Sequence, residues 1–414
     1  MKKIVYYILK ILSKAILKKY KPDVIGITGS VGKTTTKKAV ETILDNEFNV
    51  RASQKSFNTE IGVPLTIIGK DNPGKNLLGW LSVILSSLFL IVIKNKKYPR
   101  ILILEMAADH PGDIKYLVDY TKPRVGVITS VGPTHLEFFG SVEAVAKEKA
   151  TMITSLRSDA YAIVNNDQKV LQEIATKTKA QVLTYSLKKG DLVASDILLN
   201  SKDGGLSFKV KYRFDEAVIT LSAVLGKPIV YSLLAAIAVA LTYGLDLKKI
   251  AKNLENFEPL PGRLHLMPGI KYTKLIDDSY NSSPLAASAA LEILSELSCT
   301  GNKFAVLGDM LELGDHTKKA HQELGTLVAK HNINYLITVG SRSEDAMRSA
   351  KDYGMNPDRI FHFDTSENAG RFLQDRIEEG DLILIKGSAA VNMERIVKEI
   401  MAEPERANEL LVRQ

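Results

Sequence analysis

The stretch Val24-Ile25-Gly26-Ile27-Thr28-Gly29-Ser30-Val31-Gly32-Lys33-Thr34-Thr35-Thr36 decides how this chain folds. Val24 to Thr28 form a short apolar run, the pattern of a buried strand, and Lys33 to Leu44 continue with helical spacing. The glycines therefore fall in a strand-to-helix turn, where backbone N–H groups and the positive end of a helix dipole face a phosphate. Gly29, Ser30, Val31, Gly32, Lys33, Thr34 and Thr35 would line that site. Lys33 would neutralise the outer phosphates, and the Thr34 hydroxyl would reach Mg²⁺. Only Ser30 and Val31 separate the two glycines, so the loop is shorter than the usual P-loop. An ordinary glycine turn explains neither Lys33-Thr34 nor the strand before it. The pattern implies binding of a nucleoside triphosphate.

Outward from the loop, strand-like and helical runs alternate: Ile101–Glu105, a helix from Gly112, Val125–Thr129, a helix over Ser141–Leu156, then Ala160–Asn165. Such alternation predicts a doubly wound parallel sheet. Residues 191–225 read as short alternating strands with an Asp203-Gly204-Gly205 turn, an antiparallel flap on that sheet. Helices are expected over Tyr231–Tyr243 and Asp246–Asn253, and Glu258-Pro259-Leu260-Pro261-Gly262 marks a boundary. Beyond it, candidate strands Lys274–Ile276, Phe304–Leu307, Tyr335–Val339, Arg359–Phe363 and Leu382–Ile385 alternate with helices. The fold class is α/β. A central P-loop-type doubly wound sheet domain with its flap (23–259) precedes a C-terminal Rossmann-like α/β domain (260–414). Two such domains joined by a hinge place a site in the cleft between them.

At 414 residues, with 45% hydrophobic and 25% charged residues, the chain can fill two or three full cores. Its single cysteine, Cys299, excludes an intramolecular disulfide framework and fits a reducing cytoplasm; a small buried apolar role suits it better than that of a nucleophile. The net charge of +8 is concentrated at the start, where residues 1–21 carry seven lysines and no acid. The rest is close to neutral, which argues against nucleic acid as a partner.

Within residues 1–22, Ile4, Tyr7, Ile8, Ile11, Leu12, Ala15 and Ile16 share one helical stripe. A basic amphipathic helix of this kind either lies on an anionic membrane surface or packs on the protein's own core. A second segment, Leu77 to Ile93, is uncharged and flanked by Lys75, Lys94, Lys96 and Lys97. It sits at the short limit for a membrane span, and both of its flanks must stay on one side. A re-entrant or interfacial hairpin suits that topology better, with Trp80 and the lysines at the membrane surface; a buried core helix is the alternative.

Several polar residues fall where chemistry would need them. Glu105 ends an apolar strand beside the phosphate loop, where acids hold Mg²⁺; alone, it is equally a solvated carboxylate. His135 follows the next strand through a short loop, and Lys149 lies on the helix that begins near Ser141. Taken singly these are an ordinary loop histidine and a solvated lysine, and only the company of Glu105 and the loop raises them. In the second half, Asp277-Asp278-Ser279-Tyr280-Asn281-Ser282-Ser283-Pro284 and Gly308-Asp309-Met310-Leu311-Glu312-Leu313-Gly314 both follow strands, so both reach the carboxyl edge of one sheet.

Together with Ser56-Phe57-Asn58-Thr59-Glu60-Ile61-Gly62, Glu105-Met106-Ala107-Ala108, Val131-Gly132-Pro133-Thr134-His135, Pro261-Gly262-Arg263 and Lys386-Gly387-Ser388, these segments resemble the Mur ligase family over roughly residues 23–400. The likeness is greatest to the branch, MurF, that adds D-alanyl-D-alanine in peptidoglycan precursor synthesis. The resemblance implies an ATP-dependent ligase that activates a carboxylate as an acyl phosphate and couples it to an amine, here a dipeptide. It implies ATP and two Mg²⁺ ions, with Thr34, Glu105, His135 and a carbamylated Lys149 as metal ligands and Lys33, His135 and Lys149 in catalysis. Arg263 and Asp278 would contact the nucleotide. Asn58, Thr59, Asn281, Asp309 and Glu312 would meet the substrates. Four departures stand out: no uridine-diphosphate-binding domain is expected before residue 23; Pro228, Ile229 and Ser232 replace the adenine-side pattern; Ala389 stands where the family has arginine; and Leu77–Ile93 is extra. The expected protein is a monomeric ligase at the inner face of the cell membrane. The alternatives are a same-fold ligase for another, membrane-linked carboxylate and a membrane-anchored ATP-binding scaffold.

Overall fold

The computed structural model describes residues 2–53, 57–200, 204–222 and 224–413; Ser56 and Asp203, named above, lie outside them. The helix α1 (Lys2–Tyr20) runs through Lys21 and Pro22 into strand β1 (Asp23–Thr28), and the phosphate loop follows directly. Next come α2 (Lys33–Asp45), β2 (Val50–Ala52), α3 (Gly62–Ile68), α4 (Leu77–Val92) and β3 (Ile101–Glu105). After them lie α5 (Asp113–Thr121), β4 (Val125–Ile128), α6 (Leu136–Phe139), α7 (Val142–Thr154), β5 (Tyr161–Asn165) and β6 (Gln181–Ser186). The first sheet is completed by β7 (Leu192–Leu199), β8 (Gly205–Tyr212) and β9 (Asp215–Ser222).

These strands form one nine-stranded sheet in the order β2-β3-β1-β4-β5-β6-β7-β8-β9. Strands β2 to β6 pair in parallel, as βαβ crossovers demand. Strand β1 is buried on both faces, which explains its unbroken apolar character. Ile25 and Ile27 join a core with Val40 and Ile43 of α2, while Val24 turns the other way to meet Leu102 and the helices behind. The expected antiparallel flap exists as β7, β8 and β9, but β7 pairs in parallel with β6, so the flap extends the sheet edge.

The second sheet contains β10 (His265–Pro268), β11 (Lys274–Asp278), β12 (Lys303–Gly308), β13 (Tyr335–Val339), β14 (Ile360–Phe363) and β15 (Leu382–Lys386). Its order is β10-β11-β15-β12-β13-β14, parallel except for the antiparallel edge strand β10. The order reverses at β11, β15 and β12, whose carboxyl ends carry the Asp278, Lys386 and Gly308 loops.

The segment at 77–93 corrects the expected hairpin. It is one continuous helix, α4, opened by the Asn76 side chain accepting from Gly79 N, with no breaker inside it after the first turn. Val83, Ser87 and Leu90 face inward. Leu77, Leu78, Leu81, Leu85, Phe89 and Val92 are at least half exposed. Among the described residues no helix is long and apolar enough to cross a membrane. Helix α1 packs on the core through Leu9, Leu12 and Ile16, but leaves Tyr7, Ile8 and Ile11 exposed. Its last turn clasps α4: Lys19 Nζ donates to Leu90 O and Ile91 O, and the Tyr20 hydroxyl bonds Leu90 O and Ile93 O, each at 3.0 Å.

Candidate active site

The phosphate loop is shaped by two glycines with positive φ, 150° at Gly29 and 88° at Gly32. A Cβ on Gly29 would stand 2.0 Å from Thr129 Oγ1, so a side chain is excluded on space as well as conformation. The loop after β4 braces it. Thr129 Oγ1 donates to Val31 O at 2.6 Å, Val31 N donates to Ser130 Oγ at 2.9 Å, and the Ser30 hydroxyl donates to Gly132 O at 3.0 Å. Such bracing holds the loop's remaining N–H groups ready before any ligand arrives.

Lys33 opens α2 and folds back to donate to Gly29 O at 2.8 Å. Burial pushes its ammonium below the ordinary lysine range, partly offset by Glu105. A cation held over a cradle of N–H groups, with the loop carbonyls of Gly29 and Ser30 as partners, is well suited to take phosphate oxygens. At the next residue, Thr34 Oγ1 donates to Glu105 Oε1 at 3.2 Å, and Asn58 Nδ2 donates to the same oxygen at 3.1 Å. Glu105 Oε2 is buried without a hydrogen bond and lies 3.7 Å from Lys37 Nζ. A hydroxyl and a buried carboxylate with an unsatisfied oxygen form a donor set that fits a hard cation. Among the described residues no three His, Cys, Asp or Glu side chains gather as a metal site.

The second sheet closes over this arrangement. Arg263 Nη2 donates to Thr34 Oγ1 at 3.2 Å, while its guanidinium stacks 4.1 Å above the Tyr280 ring. His135, at φ 52°, has Nδ1 2.7 Å from Glu312 Oε2, without hydrogen-bond alignment, and Nε2 3.7 Å from Asp109 Oδ1. Lys33, Glu105, His135, Arg263, Asn281 and Glu312 thus border one cavity of about 320 Å³ between the sheets. Ser30, Val31 and Asn58 line it as well, and Thr59 opens into the neighbouring cavity.

Other expected residues sit differently. Lys149 is buried on α7, where desolvation and then the charge of Lys33 push it down to about 7. Asp278 does not border the cavity: Lys386 Nζ holds its Oδ2 at 2.5 Å, and Leu264 N donates to its Oδ1 at 3.2 Å. Burial raises the Asp278 carboxyl, and Lys386 opposes that rise. Asp309 is also turned away, accepting from Ser343 N at 2.8 Å. Its loop nevertheless carries Glu312 to His135, so position along the loop decides which acid reaches the cleft.

Sequence reading overlooked Lys37, Asp109 and Lys386 as side chains that shape the cleft. Lys37 is buried, donates to Ser53 Oγ at 3.0 Å and stands one turn after Lys33 on the same helical face. That i,i+4 spacing was a readable signal. Lys386 could have been found by its place at the end of the apolar strand Leu382–Ile385, though not its pairing with Asp278 across the sheet.

Comparison with known proteins identifies the class. The Mur ligase middle domain matches residues 27–77 and 85–240, and the Mur ligase glutamate ligase domain matches 262–389. The chain belongs to the Mur ligase family. Within it, the UDP-N-acetylmuramoyl-tripeptide–D-alanyl-D-alanine ligase of Bacillus subtilis is 30% identical over 394 residues, 95% of this chain and 79% of the relative. The Escherichia coli enzyme of that name is 28% identical, over 91% of this chain and 76% of its own. The crystal structure of MurF from Thermotoga maritima in complex with ADP superposes with a TM-score of 0.79 at 28% identity, covering 97% of this chain and 84% of that one. A MurF structure from Acinetobacter baumannii gives 0.80 at 25% identity, covering 95% and 79%. These relatives are all MurF ligases. The two middle-domain matches leave out 78–84, in the first half of α4.

Proposed function

We propose that the chain is an ATP-dependent amide ligase of MurF type, joining D-alanyl-D-alanine or a similar amine to a carboxylate of a peptidoglycan precursor. The convergence of Lys33, Glu105, Arg263, His135 and Glu312 on one cavity between two sheets carries this reading. Carboxylate activation needs a phosphoryl group held between cationic and N–H donors, and a second substrate brought against it by closure. Lys33 and the loop amides would bind the transferring phosphoryl group, and Arg263 would reach it from the second sheet. Thr34 and Glu105 would hold Mg²⁺, which supplies charge neutralisation on the phosphates. His135 and Lys149 would serve a second ion. A lysine held near neutrality presents the free amine that takes up carbon dioxide, losing a proton to become an oxygen-bearing carbamate. Asn58, Thr59, Asn281 and Glu312 would face the acceptor and the amine.

After acyl phosphate formation, the incoming amine attacks the activated carbonyl carbon, the C–O bond to phosphate breaks, and the amine loses a proton to a neighbouring base. ADP formation dependent on both an acceptor and D-alanyl-D-alanine, and abolished by Lys33→Ala, tests the reading. Nucleotide binding without such turnover would favour the scaffold.

The ligase would act on the cytoplasmic side, against an anionic bilayer. The exposed apolar stripes of α1 and α4, beside a helix with many lysines and no acid, favour peripheral contact with a lipid surface. Co-sedimentation with phosphatidylglycerol vesicles but not phosphatidylcholine vesicles, lost in Leu85→Lys/Phe89→Lys, is the expected result. Equal sedimentation of wild type and variant would refute it.

A further inference from the structure

The cavity at the phosphate loop is the inner end of a longer trough. It shares Ala107 and Asp109 with a second cavity of about 210 Å³, and that cavity shares Glu60 and Asp113 with a third of about 630 Å³. The third cavity is walled on one side by α1, through Tyr6, Tyr7, Lys10, Ile11 and Lys14, and on the other by the start of α5. The three cavities therefore adjoin in a row from the phosphate site to the basic helix, each sharing lining residues with the next.

The charges at its far end are unevenly satisfied. Asp113 accepts from Asp109 N at 3.0 Å and His110 N at 2.8 Å; Glu148 accepts from Gly112 N and Ile114 N, both at 2.8 Å. Asp113 Oδ2 and Glu148 are spent on holding the loop and capping α5, while Glu60 also lines the same cavity. Lys10 and Lys14 stand one helical turn apart, and among the described residues neither has a carboxylate within ion-pair distance. Lys10 Nζ lies 3.8 Å over the Tyr116 ring, an arrangement that fixes the ammonium without neutralising it. Burial and then the neighbouring Lys14 charge lower the Lys10 ammonium, with Asp119 opposing, so an anion between the two lysines would relieve a repulsion built into the helix.

The relatives' acceptor is, by name, a UDP-linked muramoyl tripeptide, with a diphosphate at one end and a carboxylate at the other. We propose that the trough receives the acceptor lengthwise, and that Lys10 and Lys14 bind a diphosphate at its far end while the carboxylate lies at the phosphate loop. This rests on the ligase reading for the carboxylate end only. The same diphosphate chemistry belongs to a nucleotide-linked and to a prenyl-linked acceptor.

The experiment measures ADP formation with D-alanyl-D-alanine and three acceptors: a UDP-linked muramoyl tripeptide, a short-chain prenyl-diphosphate muramoyl tripeptide soluble without vesicles, and the phosphate-free muramoyl tripeptide. In Lys10→Gln/Lys14→Gln, KM for the diphosphate acceptors should rise about 10- to 100-fold with kcat retained, as expected for loss of two charge-assisted contacts. KM for the phosphate-free tripeptide should move less than about twofold, and Lys10→Arg/Lys14→Arg should restore the diphosphate acceptors. Whichever diphosphate acceptor has the lower KM on wild type names its source. Equal KM values for all three acceptors on wild type, or an equal rise for all three in the variant, would overturn the proposal. Titration calorimetry with inorganic pyrophosphate, on protein whose phosphate loop is already saturated with ADP, reads the lysines without turnover. Weaker binding in the Gln variant supports the site even if no acceptor yields ADP, an outcome that would sink the ligase reading alone; unchanged binding overturns the site.

Discussion

Replacing Lys386 by methionine should open a defect that proton uptake repairs. Lys386 is buried, donates to Asp278 Oδ2 at 2.5 Å, and donates also to Asn281 O at 3.0 Å. Methionine keeps most of the stem's volume, so the cavity term is small. The main loss is the charge partner of a buried carboxylate, left with a single backbone donor, Leu264 N. Stranding one member of a buried ion pair costs about 3–5 kcal/mol. Burial already raises the Asp278 carboxyl above its unfolded value, and removing the lysine raises it further. Folding then takes up a proton. The deficit is therefore full above the folded pKa and shrinks as pH falls through it, by about 1.4 kcal/mol per pH unit. Urea unfolding of Lys386→Met at pH 8 and pH 6 measures the difference, and hydrogen exchange of β11 and β15 amides locates it. Asp278→Asn in the same background should recover about half of the loss. A deficit below about 1 kcal/mol at pH 8, or one identical at both pH values, would refute this account.

Gly29→Ala should leave circular dichroism unchanged yet weaken ATP binding at least about tenfold, since its Cβ would press on Thr129 Oγ1 and displace the loop; unaltered affinity in a binding titration would contradict the cradle. His321 is held neutral by burial, accepting from Met310 N at 3.0 Å and bonding Thr317 O at 2.7 Å. Its folded pKa lies below its unfolded value, so stability should be lost as pH falls below about 6.5, and His321→Gln should flatten that slope in urea unfolding. Glu312→Ala removes the carboxylate beside His135 and should raise KM for the amine about tenfold with little change in KM for ATP, measured by ADP formation.

The phosphate loop, the order of its flanking elements and most parallel strands of both sheets were legible because each rests on local pattern. Val24 to Thr28 and Ile101 to Glu105 are apolar throughout, which fully buried parallel strands require. Strands β2, β6 and β10 escaped notice: β2 and β10 are short edge strands of three and four residues, only partly buried, and β6 begins with two exposed residues. The unbroken course of α4 was missed because its apolar residues surround the helix, leaving no period to separate one helix from two. In the cleft, Lys33, Glu105 and His135 were readable from their positions after strands. The inward turn of Asp278 was not, because its partner Lys386 is distant in the chain and nothing local records their pairing.

The clasp between α1 and α4 has a mechanical consequence. Tyr20 ends α1, and only Lys21 and Pro22 separate it from β1, whose far end is the phosphate loop. Tyr20 also receives Asn95 N at 2.9 Å and stacks 4.1 Å from Tyr98, so the joint is stiff on several sides. Two helices locked at that joint form a fixed bracket and, on the proposed lipid surface, would set the tilt of the nine-stranded sheet relative to it. An enzyme mounted on such a bracket would hold its trough at constant height and angle. For an acceptor confined to the same plane, encounter would then follow surface density and lateral diffusion, with most of the orientational search already completed by the mounting.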